Sequence, residues 1–117
     1  MRKAVLAALA ALACAGARAE DCRSFRNSPE DNLERVYCLS GKLQEADQQL
    51  NFAYGMAMSY ADEDTKRSLR ESQQRWLRLR NRSCSIESSQ NARQVFENIG
   101  CATRMTNDRA AQLQSSN

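Results

Sequence analysis

Histidine is absent from this 117-residue sequence, and glycine and proline are scarce. Without an imidazole base, neither Ser–His nor Cys–His nucleophilic catalysis is available, and histidine metal sites are excluded. The four glycines lie far apart, so no glycine-rich loop exists to cradle a phosphate. These absences argue against an enzyme, and the sequence predicts no cofactor and no metal.

One group of carboxylates could still be considered for catalysis. Asp62, Glu63 and Asp64 are consecutive, and paired carboxylates can perform acid–base chemistry. A run of acids ahead of a helical pattern is, however, typical of a helix N-terminus, where negative charge meets the positive end of the helix dipole. We therefore interpret these residues as a cap and a solvated turn.

Residues 1–19 have the three parts of a secretory signal peptide. Arg2 and Lys3 form the basic start, residues 4–13 are an Ala/Leu-rich run too short to span a bilayer, and residues 17–19 form an A-x-A cleavage site. The sequence therefore predicts export, with no membrane span in the mature chain.

Cys14 offers an alternative to simple cleavage, because acylation there would make the protein a lipoprotein. The residues directly before Cys14 do not form a good lipobox, so we favour cleavage before Glu20. Residues 20–117 are then expected to be periplasmic or secreted, as a single helical domain.

The mature chain is formally neutral and its charge is segregated. Removing the three basic residues of the signal peptide from 17 leaves 14, which equals the 14 acidic residues. This argues against nucleic acid as a partner, because such partners need a net basic domain. Residues 20–64 carry ten acids and four bases, whereas residues 65–117 carry ten bases and four acids. The two halves should attract each other.

Large apolar residues are too few for a core alone to stabilise the domain. Leu, Ile, Val and Phe together number 15 after residue 19, below the level of roughly 20% at which chains struggle to fold. The mature cysteines are Cys22, Cys38, Cys84 and Cys101. In an exported chain they indicate two disulfides. Three pairings are possible, and the spacing favours Cys22 with Cys38 and Cys84 with Cys101.

The apolar pattern predicts an all-α fold, a small bundle of about four helices. The first is expected to start at Ser28 and to end or bend at Gly41, and the second to cover residues 42–60. The third should start after an Asp64 cap, and the last should open at Gly100. The segment before it is expected to be irregular. The aromatic and methionine side chains of residues 52–60 alternate around the second helix, so some should face outward, and packing of this set against the first helix is the simpler interpretation.

Two charged residues lie where apolar residues are expected. At about 100° per residue, Asp47 shares a face with Leu50 and Tyr54, and Arg80 shares a face with Trp76. If the second and third helices form a central antiparallel hairpin, Asp47 meets Arg80. We therefore predict a partly buried ion pair beside Trp76.

Three parts of the chain are candidates for binding a partner. The opposite side of the third helix presents a stripe of arginines: Arg67, Arg70, Arg75, Arg78 and Arg82. The stripe could enter an acidic cleft, although a solvated face is the simpler interpretation. The alternatives are residues 85–98, tethered by the expected Cys84–Cys101 disulfide, and the acidic half of the chain.

Three spaced motifs occur in order along the chain: Asp47-x-x-Leu50-Asn51-x-x-Tyr54, Gln73-x-x-Trp76-x-x-x-Arg80-Asn81-x-x-Cys84, and Cys101-x-x-x-x-Thr106-x-x-Arg109-x-x-x-Leu113. With the four cysteines, they resemble the domain of the LprI-type lysozyme inhibitors, small exported bacterial proteins also described as a domain of unknown function. The resemblance covers residues 22–113. Leu79 stands where an aromatic residue is usual, and Asn81 where aspartate is usual.

The resemblance implies a helical, disulfide-bonded protein of the bacterial cell envelope. Its partner would be a lysozyme-like glycan hydrolase, inhibited by binding and steric occlusion. The alternatives are a structural or chaperone-like periplasmic binding protein and an immunity protein against a cell-wall hydrolase. The motif residues expected to be structural are Asp47, Leu50, Asn51, Tyr54, Trp76, Arg80, Thr106 and Arg109.

Overall fold

The computed structural model describes residue 22 and residues 29–88 and 91–115, which form three helices and no strand. We label these helices α1 (Pro29–Ser59), α2 (Glu63–Ser83) and α3 (Ala92–Ser115). The all-α class is confirmed. The expected signal peptide, Cys14 and the Ser28 cap lie outside the described residues. None of the three helices has an apolar run long enough to cross a bilayer.

The number of helices differs from the expectation because Gly41 lies inside α1. The first two expected helices form one helix of 31 residues. Glycine in a helix interior costs only about 1 kcal/mol relative to alanine, which tertiary packing easily overrides. None of the described glycines has a positive φ, and a Cβ at Gly41 would meet nothing within 4 Å.

The last helix also begins earlier than expected, at Ala92 and not at Gly100. Asn91 precedes it, and its side-chain oxygen accepts a hydrogen bond of 2.9 Å from the backbone N–H of Gln94. This contact satisfies one of the free N–H groups of the first turn, as an N-cap does. The connection between α2 and α3 is consequently short, spanning residues 84–91.

Replacing Gly55 with alanine is expected to stabilise the domain by about 1 kcal/mol, and Gly41→Ala by a similar amount. Both glycines are helical, and a Cβ at either would meet nothing within 4 Å, so alanine adds no strain and removes freedom from the unfolded chain. The melting temperature should rise by about 4–8 °C per kcal/mol. Unchanged or lower melting temperatures for both variants, measured by circular dichroism, would contradict this expectation.

The core lies between α1 and α3, and small residues dominate it. Its buried members include Ala46, Leu50, Ala53, Ala57, Ala102, Thr106, Ala110 and Leu113. Alanine and threonine side chains let two helix backbones approach closely, and most close backbone contacts between helices join α1 and α3. The expectation that α1 and α2 form the central pair is therefore wrong.

Helix α2 lies against this pair through longer, partly buried side chains. Leu69 and Trp76 pack against the cluster that contains Leu50, and no residue of α2 itself is fully buried. Its N-cap is Asp62, not Asp64, because Asp62 Oδ1 accepts a hydrogen bond of 2.8 Å from the N–H of Thr65. That bond lowers the pKa of Asp62 below its ordinary value.

Two disulfides staple the helices, and the favoured pairing is confirmed. Cys22 is bonded to Cys38 in α1, and Cys84, directly after α2, is bonded to Cys101 in α3. Cys84 is 1% exposed, with its Sγ 3.5 Å from Met105 Sδ. The second disulfide therefore holds the C-terminal end of α2 on α3.

Candidate functional site

Arg80 is the centre of a polar network that joins the three helices. Its Nη1 donates hydrogen bonds to Asp47 Oδ1 of α1 and to Thr106 Oγ1 of α3, each at 3.2 Å. The Arg80 side chain is 13% exposed and that of Asp47 is 45% exposed. The ion pair predicted from helical spacing is therefore present, with Arg80 as its buried member.

Two further contacts of the Arg80 guanidinium involve Asn81 and Trp76. Its Nε donates to Asn81 Oδ1 at 3.3 Å, and the guanidinium carbon lies 5.4 Å from the centroid of the Trp76 ring. Thr106 is fully buried, and its hydroxyl donates in turn to the carbonyl of Ala102 at 2.7 Å. Desolvating the cation is thus offset by a carboxylate, two neutral acceptors and an aromatic ring.

A second inward arginine, Arg109, fastens α3 to the middle of α2. Its Nε donates to Gln73 Oε1 at 3.1 Å and its Nη2 to Ser72 Oγ at 2.9 Å. Its Nη1 donates to Gln112 Oε1 at 2.9 Å. All three acceptors are neutral, and burial lowers the pKa of Arg109 from its ordinary value. Sequence spacing places Arg109 on an inner face, but it does not identify Gln73 and Ser72 as its partners.

Most of the motif residues therefore lie at positions where their contacts stabilise the fold. Leu50 and Thr106 are buried, and Tyr54 and Trp76 pack against the Leu50 cluster. Asn51 is the exception among the eight, because it is exposed on α1.

The outer side of α2 is a basic surface of the helix bundle that the structure describes. We call it the arginine face, and it consists of five exposed residues: Arg67, Arg70, Arg75, Arg78 and Arg82. Arg67 pairs with exposed Asp64 at 3.7 Å. The other four form no ion pair with a described residue. Their guanidinium groups project into solvent, and the opposite side of α2 packs on the other two helices.

The described residues contain little that could perform chemistry. Their Cys, Asp and Glu side chains form no group of three or more that could hold a metal ion. An open groove of about 770 Å³ lies along α1 and α3, and its lining includes Glu45, Gln49, Thr103 and Asn107. Such a lining can donate and accept hydrogen bonds, but it contains no nucleophile paired with a base.

Comparison with known proteins gives one family. The model of the family described as Lysozyme inhibitor LprI matches residues 22–113. No match was found among curated proteins or among solved structures. The matched range begins at Cys22, contains both disulfides and ends at the buried Leu113. It therefore covers the helical core.

Proposed function

This chain belongs to the LprI family of lysozyme inhibitors, and from that premise we propose that it binds a lysozyme-type glycan hydrolase and blocks the catalytic cleft. The protein supplies no chemistry in this mechanism, and it acts by occupying space that the glycan needs. Two disulfides and a polar network that joins three helices support this role. A rigid binder loses less conformational entropy when it docks.

The arginine face is the surface that we propose enters the cleft. Glycan hydrolases usually work with two carboxyl groups that flank the scissile bond. Arginine side chains pair with carboxylates through two parallel hydrogen bonds. Arg70, Arg75, Arg78 and Arg82 project from one side of a helix, and their guanidinium groups form no ion pair with a described residue. This exposed and largely unpaired row of arginines is the observation that supports the contact.

Residues 85–98, the alternative contact, contain a shorter non-helical segment than expected. Helix α3 takes up the second half of this segment from Ala92 onward. The first half begins as a turn in which Ser85 has a positive φ of 50°. The carbonyl of Ser85 accepts hydrogen bonds from the N–H of Ser88 at 3.1 Å and from Asn98 Nδ2 at 3.1 Å. A short turn bonded to α3 cannot reach far into a cleft.

Replacing Arg75 and Arg78 together with serine is expected to weaken inhibition by at least about tenfold, since each tenfold loss corresponds to about 1.4 kcal/mol. Both side chains are exposed, so the fold and melting temperature should be unchanged. The measurement is the lysis rate of purified cell-wall material by a panel of muramidases, at increasing concentrations of the oxidised mature protein. Arg93→Ser is the matched control, because Arg93 is exposed on α3 and pairs with Glu97 at 3.0 Å.

The possible results distinguish the proposed inhibitory function from the proposed contact surface. If the wild-type protein inhibits no member of the panel, the proposed function is wrong. If the wild type inhibits and the Arg75/Arg78 variant inhibits equally well, the function stands and the arginine face is not the contact. A loss of inhibition in the Arg93→Ser control would show that any exposed positive charge matters, and would also reject the arginine face as a specific surface.

A further inference from the structure

The outer side of α1 carries an exposed apolar row at its C-terminal end. Phe52, Met56 and Tyr60 are 67%, 39% and 78% exposed, and a spacing of four residues places them on one side of the helix. We call these three residues the aromatic stripe. Some of the aromatic and methionine side chains of residues 52–60 are expected to face outward, and these three do. They cannot pack against a first helix as expected, because residues 29–59 form one continuous helix.

The aromatic stripe and the arginine face lie on opposite sides of the bundle. Asp47 points toward α2, where it meets Arg80. Met56 follows Asp47 by nine residues, which at about 100° per residue is half a turn around the helix. One molecule therefore presents two separate surfaces.

The stretch of chain that carries the aromatic stripe has an excess of negative charge. Residues 43–65 contain no Lys or Arg but five acids, Glu45, Asp47, Asp62, Glu63 and Asp64, and the base directly before this stretch, Lys42, lines a groove together with Glu45. Asp47 is paired internally with Arg80, and exposed pairs join Glu63 to Lys66 and Asp64 to Arg67. Glu45 forms no ion pair with a described residue. This surface is therefore anionic and complementary to a cationic one.

A groove beside Phe52 has the right chemistry for a cationic side chain. It measures about 480 Å³ and is lined by Glu45, Gln48, Gln49, Phe52 and Gln114. Glu45 and Phe52 are two helical turns apart on the same side of α1. A guanidinium group can lie over the Phe52 ring, as a cation–π contact, while the Glu45 carboxylate neutralises its charge.

The arginine face of a second copy has the complementary features. It is cationic, and Leu77 and Leu79, which are 38% and 49% exposed, flank Arg78. Two aromatic stripes facing each other would bring anionic surfaces together, and two arginine faces would bring cations together. A neutral mature chain also lacks the long-range repulsion that keeps strongly charged proteins apart.

We propose that this protein associates head to tail, with the arginine face of one copy docked on the aromatic stripe and Glu45 of the next. The contact joins two different surfaces on opposite sides of the molecule, so it generates a ring or an open chain of copies and not a two-fold dimer. The arginine face is also the surface proposed to enter a hydrolase cleft. A hydrolase would therefore compete with the association, a consequence that rests on the proposed function.

Sedimentation velocity of the oxidised mature protein, at concentrations up to about 1 mM, tests the proposal with two variants. Glu45→Lys/Phe52→Ser alters only the stripe, and Arg75→Glu/Arg78→Glu alters only the arginine face. We expect the wild type to form growing oligomers and each variant alone to remain monomeric. An equimolar mixture should form a dimer, because each variant retains the surface that the other lacks. Raising the salt from about 20 to 300 mM should weaken the association at least about tenfold.

Several results would overturn the proposal. The wild type could remain monomeric at the highest concentration in low salt, or one variant alone could associate as well as the wild type, as a two-fold dimer through the unaltered face would. A mixture that stays monomeric, although both variants keep the wild-type helical spectrum and both disulfides, would also reject it. Glu45→Gln and Arg78→Gln provide milder versions if a charge reversal prevents folding. Muramidase inhibition at nanomolar protein, where the chain is monomeric, tests the proposed function separately.

Discussion

Replacing Asp47 with alanine is expected to lower the free energy of unfolding by about 2 kcal/mol, whereas Glu45→Ala should change it by less than about 0.5 kcal/mol. Asp47 is the counter-charge of Arg80, whose side chain is only 13% exposed. Without Asp47, a cation remains inside the bundle with neutral acceptors alone. Losing one member of a fully buried pair costs about 3–5 kcal/mol. The lower value expected here follows from the 45% exposure of the Asp47 side chain, which leaves a path to water.

Urea denaturation of a protein that comprises residues 20–117, with both disulfides formed, measures this difference. Glu45 and Asp47 lie two residues apart on α1. The two variants therefore remove the same charge from the same helix and differ only in the side of the helix that loses it. Equal unfolding midpoints would show that the ion pair contributes nothing. A double-mutant cycle with Arg80→Ala should give a coupling energy of about 1 kcal/mol or more, because the two side chains are in contact.

Removing the Cys84–Cys101 disulfide by replacing both cysteines with alanine is expected to cost about 3 kcal/mol. The sequence separation is 17 residues, and the loss reflects mainly the greater freedom of the unfolded chain. We also expect a local effect. Since no residue of α2 is fully buried, α2 depends on this disulfide and on the Arg80 and Arg109 hydrogen bonds to stay on the other two helices.

Hydrogen exchange separates the local effect from the global one. The amides of α2 should lose protection in the variant before those of α1 and α3, which share the small-residue core. The control is the double alanine variant of Cys22 and Cys38, whose sequence separation of 16 predicts a similar entropic loss without release of α2. Uniform loss of protection in all three helices, or an unchanged unfolding midpoint, would contradict the expectation.

Local spacing was sufficient for several features of this fold. An Asp on the apolar side of one helix and an Arg on the apolar side of the next indicate an ion pair between them. Either ion alone on such a side would carry a large desolvation cost. The pairing of cysteines that are 16 and 17 residues apart follows from proximity along the chain. The outward direction of the five arginines follows from the same helical period that turns Trp76 inward.

Glycine was a poor guide to the helix boundaries. Gly41 and Gly100 both lie inside helices, although each was expected at an end. The propensity penalty of about 1 kcal/mol per glycine is small beside the packing energy of a long helix. The predicted loop at residues 85–98 was too long for the same reason.

The helical class, the favoured pairing of the cysteines and the inner side of α2 could be predicted from the sequence, because each depends on spacing along one segment or on a charge that needs a partner. The close packing of α1 on α3 could not be predicted, since nothing in chain order shows that two rows of alanines will exclude the larger Trp76 from the centre. That choice leaves Phe52, Met56 and Tyr60 in solvent opposite the arginine face. The two outer surfaces are therefore a consequence of packing, because exposure depends on which helix covers which side.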